Sequence, residues 1–146
     1  MKCYAVIDTN VVVSALLSVL KDNDLAESVP LKVLLILLCN KNKITPIFND
    51  EILAEYKDVL SRPVFNIPKS RLGRFLNDIR KAGKAMDEVE TDEAMPDPKD
   101  VVFYRVTLGG KREQDTYLIT GNKKHFPLKE FVVSPSEFLE IVEKNK

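Results

Sequence analysis

The alternation of short apolar runs with longer helical segments constrains the fold of this chain more than any other sequence feature. Residues 2–8 form the first apolar run, which stops at Asp8, and residues 10–20 form a second run that is apolar nearly all round. A short β-branched run that breaks at an acid and restarts with helical spacing indicates a strand, a turn and a helix. We therefore predict a buried strand over residues 2–8 and a deeply packed helix over residues 10–20.

The same alternation continues along the rest of the chain. Further strands are predicted over residues 44–48, 85–89, 116–120 and 131–133. Further helices are predicted over residues 30–38, 51–61 and 69–82, from 96–100 to Gly109–Gly110, and from Ser134 onward, with a loop over 21–29. Pro46 counts against a central position for its strand because proline cannot donate to a ladder. Strands that alternate with helices form parallel sheets covered on both faces. We predict an α/β fold: a three-layer α/β/α sandwich around a mainly parallel sheet of about five strands.

Composition narrows the class of protein. The 146 residues fit a single domain spanning residues 1–146. The 22 basic side chains balance 22 acidic ones, so any contact with nucleic acid needs a local patch rather than a global basic field. Cys3 and Cys39 lie in apolar runs and are predicted to be buried free thiols, which suits a reducing cytoplasm. No signal peptide is visible and no apolar run could span a bilayer, so we predict a cytoplasmic protein without a membrane partner.

Asp8 is the residue with the most chemical information. It lies between the first predicted strand and the first predicted helix. In open α/β sheets ligands bind at the carboxyl ends of the strands, and a carboxylate placed there can hold a hard cation such as Mg²⁺. Asp8, Thr9 or Asn10 can equally cap the helix, and the local sequence favours neither interpretation.

Two other segments supply carboxylates that could act with Asp8. On the predicted helix 51–61, Glu55 borders the apolar stripe and could point into a cleft, although the spacing alone favours an ordinary surface glutamate. Asp97 and Asp100 lie three residues apart at a predicted helix start, so their carboxylates share one face. They suit both helix capping and cation binding, and one acid can cap while the other binds.

A third segment could contribute to the same site through polar side chains that carry no charge. The predicted strand 116–120 ends in Thr120, Gly121 and Asn122. Asn122 can ligate a cation or orient water, but a Gly-Asn turn is the ordinary explanation. His125 is the single histidine, which argues against a catalytic triad or a zinc site. No glycine-rich phosphate loop follows any strand.

Taken together, these motifs resemble the PIN-domain family. The resemblance rests on VIDTNV at residues 6–11, the segment 49–63, DPKD at residues 97–100 and YLITGN at residues 117–122, and it extends to residues 133–139. The closest similarity is to the small VapC-like proteins, the toxins of bacterial toxin–antitoxin pairs. The resemblance implies an endoribonuclease that depends on Mg²⁺ or Mn²⁺, cuts RNA to leave a 5′-phosphate and a 3′-hydroxyl, and has a small antitoxin protein as its partner. The apolar helices near residues 10–40 suggest a dimer or antitoxin surface, and we predict a homodimer.

Roles are carried over from the family by position. The resemblance places Asp8, Glu55 and Asp100 in the acidic cluster, with Asp97 close by. The fourth acidic position falls on Asn122, a departure that puts a second tightly bound metal in doubt. Supporting roles are expected for Thr9, Asn10 and Thr120, and RNA contacts for Lys123, Lys124 and His125. Asp115 is a weaker candidate to replace the missing charge, because it precedes the strand that Asn122 follows.

Two competing functions come from other classes of protein. Haloacid dehalogenase-type phosphatases also place an aspartate after the first strand, but they need a second one at the position of Asn10. A degenerate PIN domain that binds RNA or a protein without cutting is the main alternative, and Asn122 is the residue that favours it.

Overall fold

A sheet of five parallel strands forms the centre of the fold. The computed structural model describes residues 1–20, 28–39 and 43–145. Within these ranges the strands are β1 (Cys3–Ile7), β2 (Ile44–Phe48), β3 (Lys84–Ala85), β4 (Thr116–Ile119) and β5 (Val132–Val133). Their spatial order is β3-β2-β1-β4-β5, and every neighbouring pair is parallel. The α/β fold with a mainly parallel sheet is therefore confirmed.

Helices cover both faces of this sheet. The α-helices of the described residues are α1 (Thr9–Leu20), α2 (Val29–Cys39), α3 (Asp50–Leu60), α4 (Lys69–Ala82), α5 (Val101–Lys111) and α6 (Pro135–Lys144). All five residues of β1 are buried. Since successive side chains of a strand point to opposite faces, complete burial of β1 requires cover on both sides.

The strand order places a crevice beside β1. From β1 the chain builds outward through β2 to β3, then returns to pair β4 with the other side of β1 and continues outward to β5. The carboxyl ends of β1 and β4 therefore flank the point where the winding direction reverses. In doubly wound sheets this is the position where ligands bind.

Pro46 lies inside the sheet, in β2, opposite Ala5 of β1. The carbonyls of Lys43 and Phe48 accept bonds from Cys3 and Met86, so odd residues of β2 face β1 and even residues face β3. The missing N–H of Pro46 therefore faces the β3 side. β3 begins only opposite Ile47, so no ladder bond is lost there. This geometry explains why proline is tolerated in β2.

Glycines Gly109 and Gly110 lie within α5 and do not end it, contrary to the sequence prediction. A Cβ atom on Gly109 would lie 2.1 Å from the carbonyl oxygen of Asp87, and one on Gly110 would lie 2.6 Å from Cδ1 of Ile47. The two glycines therefore let α5 approach the sheet and the segment after β3. Their role is close packing, which the sequence pattern of a helix stop does not distinguish.

Several predicted boundaries also differ from the structure. β1 ends at Ile7, α1 begins at Thr9, and Val29 belongs to α2 rather than to the predicted loop, of which residues 21–27 lie outside the described ranges. β3 covers two residues instead of 85–89, because the backbone turns from the sheet to α5, where the N–H of Val89 bonds to the carbonyl of Arg105.

The two cysteines differ in environment. Cys3 is buried and Cys39 is exposed, and both are free thiols. The prediction of burial was therefore wrong for Cys39, which lies at the end of α2 beside a cavity shared with α4. None of the helices in the described ranges has the length and apolar character needed to traverse a bilayer.

Candidate active site

Asp8 connects β1 directly to α1. Its backbone carbonyl accepts hydrogen bonds from Val11 and Val12, so Asp8 occupies the capping position of the helix. Its carboxylate has other partners: Oδ1 accepts the N–H of Thr9 at 2.8 Å, and Oδ2 accepts the hydroxyl of Thr120 at 2.7 Å. A capping side chain bonds the second or third N–H of the helix, and Asp8 bonds neither. The carboxylate is instead held in the crevice with further lone pairs available.

Burial dominates the electrostatics of Asp8, whose relative exposure is 5%. Burial raises the pKa of Asp8 from its ordinary value of 3.8 to about 6, against the lowering effect of the Thr120 hydrogen bond. The negative charges of Asp100 and Glu55 raise the pKa further. A buried carboxylate whose neighbours are also acidic favours binding either a proton or a cation.

Glu55 reaches the same crevice from α3. Asn49 caps this helix by accepting the N–H of Ile52 at 2.9 Å, and the stripe beside Glu55 packs into the core. The hydroxyl of Tyr56 donates to the carbonyl of Ile7, which ties α3 to the end of β1. Glu55 is half-buried, and its Oε2 accepts the hydroxyl of Thr9 at 2.7 Å. Burial is also the main cause of the raised pKa of Glu55.

Asp97 and Asp100 differ in the contacts that their carboxylates make. Residues Pro98–Asp100 form one 3₁₀ turn before α5, and Asp97 caps it by accepting the N–H of Lys99 at 2.9 Å. Asp100 Oδ2 is buried and accepts no hydrogen bond of acceptable geometry, although Nδ1 of His125 lies 3.2 Å away. Burial and the charge of Asp97 raise the pKa of Asp100, and His125 opposes this effect.

One cavity of about 420 Å³ brings these acids together. Its polar lining consists of Asp8, Thr9, Asn10, Ser14, Glu55, Asp97, Asp100 and His125. Its apolar lining consists of Val13, Val59 and Phe65. The four carboxylates singled out from the sequence therefore share a single cavity. The apolar wall was not predicted, and only Val59 had a signal, as part of the apolar stripe of α3.

The end of β4 contributes neutral groups. Thr120 holds Asp8, and the N–H of Gly121 donates to Oδ1 of Asn10 at 3.0 Å. Asn122 does not line the cavity: its N–H donates to Oγ1 of Thr120, and its Nδ2 lies 2.9 Å from Nε2 of His125. The predicted supporting residues thus all make hydrogen bonds around the acids. Asn122 reaches the site through the imidazole.

The cationic side chains differ in whether an acidic side chain pairs with them. Lys123 is paired with Glu137 at 2.9 Å, whereas Lys124 is exposed. Helix α4 exposes a larger basic face that the sequence analysis did not single out: Lys69, Arg71, Arg74, Arg80 and Lys81. None of these side chains forms an ion pair within the described residues. The sequence signal for this basic face was the position of these residues opposite the apolar stripe of the helix predicted over 69–82.

Asp115 precedes β4 and borders a separate cavity, so it cannot supply the charge missing at Asn122.

The donor set fits a hard divalent cation. Across residues 1–20, 28–39 and 43–145, no three His, Cys, Asp or Glu side chains converge closely enough to form a metal cage. Mg²⁺ does not need one, since it is usually held by one or two carboxylates, several waters and substrate phosphates. The carboxylates of Asp8 and Asp100 line the same cavity and retain lone pairs that no hydrogen bond uses. This chemistry suits Mg²⁺ or Mn²⁺ better than a softer metal.

Comparison with known proteins identifies one family. The family model for the PIN domain matches residues 4–124 of this chain. This span includes the five predicted site residues Asp8, Glu55, Asp97, Asp100 and Asn122. No curated protein and no solved structure matches the chain.

Proposed function

The chain belongs to the PIN-domain family, and we propose that it is an endoribonuclease that depends on Mg²⁺ or Mn²⁺. PIN domains are generally nucleases. The observation that carries the proposal is the single cavity lined by Asp8, Glu55, Asp97 and Asp100, which come from three separate elements. The clustered negative charges attract a divalent cation, and a cation attracts phosphate; burial and mutual repulsion raise the pKa of Asp8, Glu55 and Asp100.

Each acid has a place in the proposed chemistry. Asp8 and Asp100 would hold the cation, and Glu55 or Asp97 would orient a water or a second ion. When bound, the cation polarises the scissile phosphate and lowers the pKa of bound water. Thr9 and Thr120 hold the carboxylates of Glu55 and Asp8 in position through hydrogen bonds of 2.7 Å.

Glu55 is suited to orient the attacking water and accept its proton. Its carboxylate is half-buried, its pKa is raised by burial, and it lines the cavity. The water oxygen forms a bond to phosphorus, and the bond from phosphorus to the 3′-oxygen breaks. The 3′-oxygen takes a proton from solvent water, so the products carry a 5′-phosphate and a 3′-hydroxyl. The 2′-hydroxyl takes no part in this reaction.

The surroundings of the cavity suit a single strand of RNA. Lys124 and the basic face of α4 offer charges to the phosphate backbone. Phe65, Val59 and Val13 offer an apolar wall on which an unpaired base can stack beside the acids. Phe65 lies four residues before Lys69, so the wall and the start of the basic face lie within about 14 Å of each other along the chain.

Cleavage assays with matched variants test the nuclease proposal. Asp8→Asn should abolish cleavage of a mixed RNA substrate in Mg²⁺ or Mn²⁺, and EDTA should do the same to the wild type. Asp115→Asn is the matched control, because Asp115 is exposed and lies at the amino end of β4, opposite the end that faces the acids. Equal activity of Asp8→Asn and wild type would overturn the site, and loss of activity in Asp115→Asn would show that Asp115 takes part in it after all.

The chemistry of the products tests the proposed mechanism separately. A substrate with a single 2′-deoxynucleotide at the scissile position should still be cut, and the downstream product should carry a 5′-phosphate. A 2′,3′-cyclic phosphate end would contradict attack by water.

We also propose that this nuclease is the toxin of a toxin–antitoxin pair in the cytoplasm, inhibited by a small antitoxin protein. The support is the order of the motifs and the length of the chain, which resemble the VapC-like group. A homodimer is part of this proposal. Its interface would include Leu35 of α2, which is 49% exposed. Most of the other apolar side chains of α1 and α2 are buried in the core and are not available to a second copy. Expression of the wild type alone should slow growth, whereas Asp8→Asn should not.

The alternative is a PIN domain that binds RNA without cutting it. Two observations favour it: a neutral Asn122 at the fourth acidic position, and the absence of three converging ligands within the described residues. RNA binding without cleavage in either Mg²⁺ or Mn²⁺, with Asp8→Asn binding equally well, is the result that this alternative predicts.

A further inference from the structure

Asn122, His125 and Asp100 form a continuous chain of contacts that leads into the cavity. Nδ2 of Asn122 lies 2.9 Å from Nε2 of His125, and Nδ1 of His125 lies 3.2 Å from Oδ2 of Asp100. The three residues come from the end of β4, from the 3₁₀ turn Lys123–His125, and from the turn before α5. The chain therefore joins two segments that would otherwise orient their side chains independently.

The contact with Asn122 determines which ring nitrogen carries the hydrogen. With Nδ2 of Asn122 as the donor in this contact, Nε2 of His125 is the acceptor. In a neutral imidazole the hydrogen then lies on Nδ1, the nitrogen that faces Asp100. An exposed imidazole without this partner would be free to adopt the other tautomer, which presents a lone pair to the carboxylate.

The Asp100 carboxylate needs such a partner. Its Oδ2 is buried without a hydrogen bond of acceptable geometry, and rotation about χ2 is broad for an aspartate. A donor 3.2 Å away needs only a small rotation of ring or carboxylate to close the bond, and catalytic hydrogen bonds in unliganded sites are often poorly aligned. A closed bond to Oδ2 fixes the direction in which the other oxygen points.

We propose that Asn122 and His125 are positioning residues that orient Asp100 for cation binding, with Asn122 acting only through His125. This inference rests on the proposed cation site at Asp8 and Asp100. It assigns the fourth position of the family pattern a neutral role: the acid is replaced by an amide that holds an imidazole, and the imidazole holds the third acid. Residues that orient a ligand in this way typically change metal affinity by about 10- to 100-fold.

Calorimetric titration of the full chain with Mn²⁺ tests the proposal without using activity. His125→Ala should weaken Mn²⁺ binding by about 10- to 100-fold. His125→Asn, whose amide nitrogen can stand where Nδ1 stands, should recover part of the loss. Leu128→Ala is the control, since Leu128 is 98% exposed in the same loop region. Unchanged affinity in His125→Ala would overturn the proposal.

A double-mutant cycle separates an indirect role of Asn122 from direct ligation. Asn122→Ala should weaken Mn²⁺ binding in the wild-type background and have no effect in the His125→Ala background. An equal loss in both backgrounds would show that Asn122 contacts the cation itself and would overturn the assigned order of contacts.

A spectroscopic measurement reads the positioning directly. Because the chain has a single histidine, its ring nitrogens can be assigned in a long-range ¹H–¹⁵N spectrum without ambiguity. At a pH where the ring is neutral, the wild type should carry the hydrogen on Nδ1, and Asn122→Ala should shift the population toward Nε2. The Nε2 tautomer in the wild type would overturn the proposal.

The measurements distinguish failure of the proposed cation site from failure of the positioning role of Asn122 and His125. If the wild type binds Mn²⁺ and Asp8→Asn does not, the cation site stands, and an unaffected His125→Ala then overturns only the positioning role. If the wild type binds no Mn²⁺ and cuts no RNA, both proposals are wrong.

Discussion

The hydroxyl of Thr120 donates a hydrogen bond of 2.7 Å to Oδ2 of Asp8, and this bond joins the carboxyl ends of β4 and β1. The two residues are 112 positions apart in the chain, and both are buried. The bond stabilises the ionised form of a carboxylate that burial would otherwise protonate. It therefore contributes both to the fold and to the negative charge of the cavity.

Thr120→Val should remove this bond with little change in volume. We expect a loss of about 1.5–3 kcal/mol in the free energy of unfolding, the usual contribution of a hydrogen bond to a charged group. The pKa of Asp8 should rise further, because the Thr120 bond is the main effect that lowers it. Urea denaturation and Mn²⁺ titration measure the two effects.

Thr116→Val is the matched control for that experiment. Its hydroxyl donates to the carbonyl of Gln114, and the residue is as buried as Thr120. A loss of about 1 kcal/mol with unchanged Mn²⁺ affinity is expected. If both variants weaken Mn²⁺ binding alike, the Thr120 bond has no specific role.

Asp8 should make the stability of the metal-free protein fall with increasing pH. Its folded pKa of about 6 exceeds its ordinary value of 3.8, so its stabilising contribution is complete below pH 3.8 and is lost as the pH rises through about 6. The difference between the two values corresponds to about 3 kcal/mol. The amide of Asp8→Asn does not ionise, so this variant should not show that loss.

Urea denaturation in EDTA at a series of pH values measures this effect as the difference between wild type and Asp8→Asn. The wild type should lose about 3 kcal/mol relative to the variant between pH 3.8 and neutral pH, and added Mg²⁺ should restore the wild type alone. A difference that does not change with pH would contradict the raised pKa of Asp8.

The basic face of α4 should determine the salt dependence of RNA binding. Arg71 and Arg74 are exposed, lie on one side of the helix and have no ion-pair partner among the described residues. If both contact phosphates, Arg71→Gln with Arg74→Gln should reduce the slope of log K against log salt by about 1.4 for a single strand.

The control for the salt experiment carries the same change in charge at the amino ends of β1 and β4. Lys2 and Arg112 are exposed there, so Lys2→Gln with Arg112→Gln should leave the slope unchanged. Binding should be measured with Asp8→Asn as the common background, which prevents cleavage. Equal slopes for the two double variants would exclude α4 from the RNA path.

Gly109→Ala should destabilise the fold, whereas Gly73→Ala should not. A Cβ on Gly109 would lie 2.1 Å from the backbone oxygen of Asp87, and that clash requires a backbone shift that costs about 1–3 kcal/mol. Gly73 lies within α4 with no atom near the added Cβ, so alanine should stabilise the helix by about 0.5–1 kcal/mol. Thermal denaturation compares the two, and stabilisation by both would refute the packing role of Gly109.

The sequence predicted the elements of this fold because apolar periodicity is a local property. The spacing alone left Asp8, Asp97 and Asp100 open between capping and cation binding and favoured an ordinary surface position for Glu55. The resemblance to the PIN-domain family brought the four carboxylates together. The sequence did not predict that Gly109 lies inside α5, because packing against Asp87 is a long-range contact. Nor did it predict that Asn122 reaches the site through His125, which depends on the geometry of a 3₁₀ turn. The wall around Phe65 has no local signal either.

Among the described residues, every acidic side chain that lines the cavity precedes Val101, and the segment from β4 onward contributes a hydroxyl, an amide and an imidazole. Net charge and ligand orientation are thus encoded in different stretches of sequence. In the proposed cation site, substitutions after Ile119 would therefore change how the ligands are oriented without removing the negative charge of the cavity.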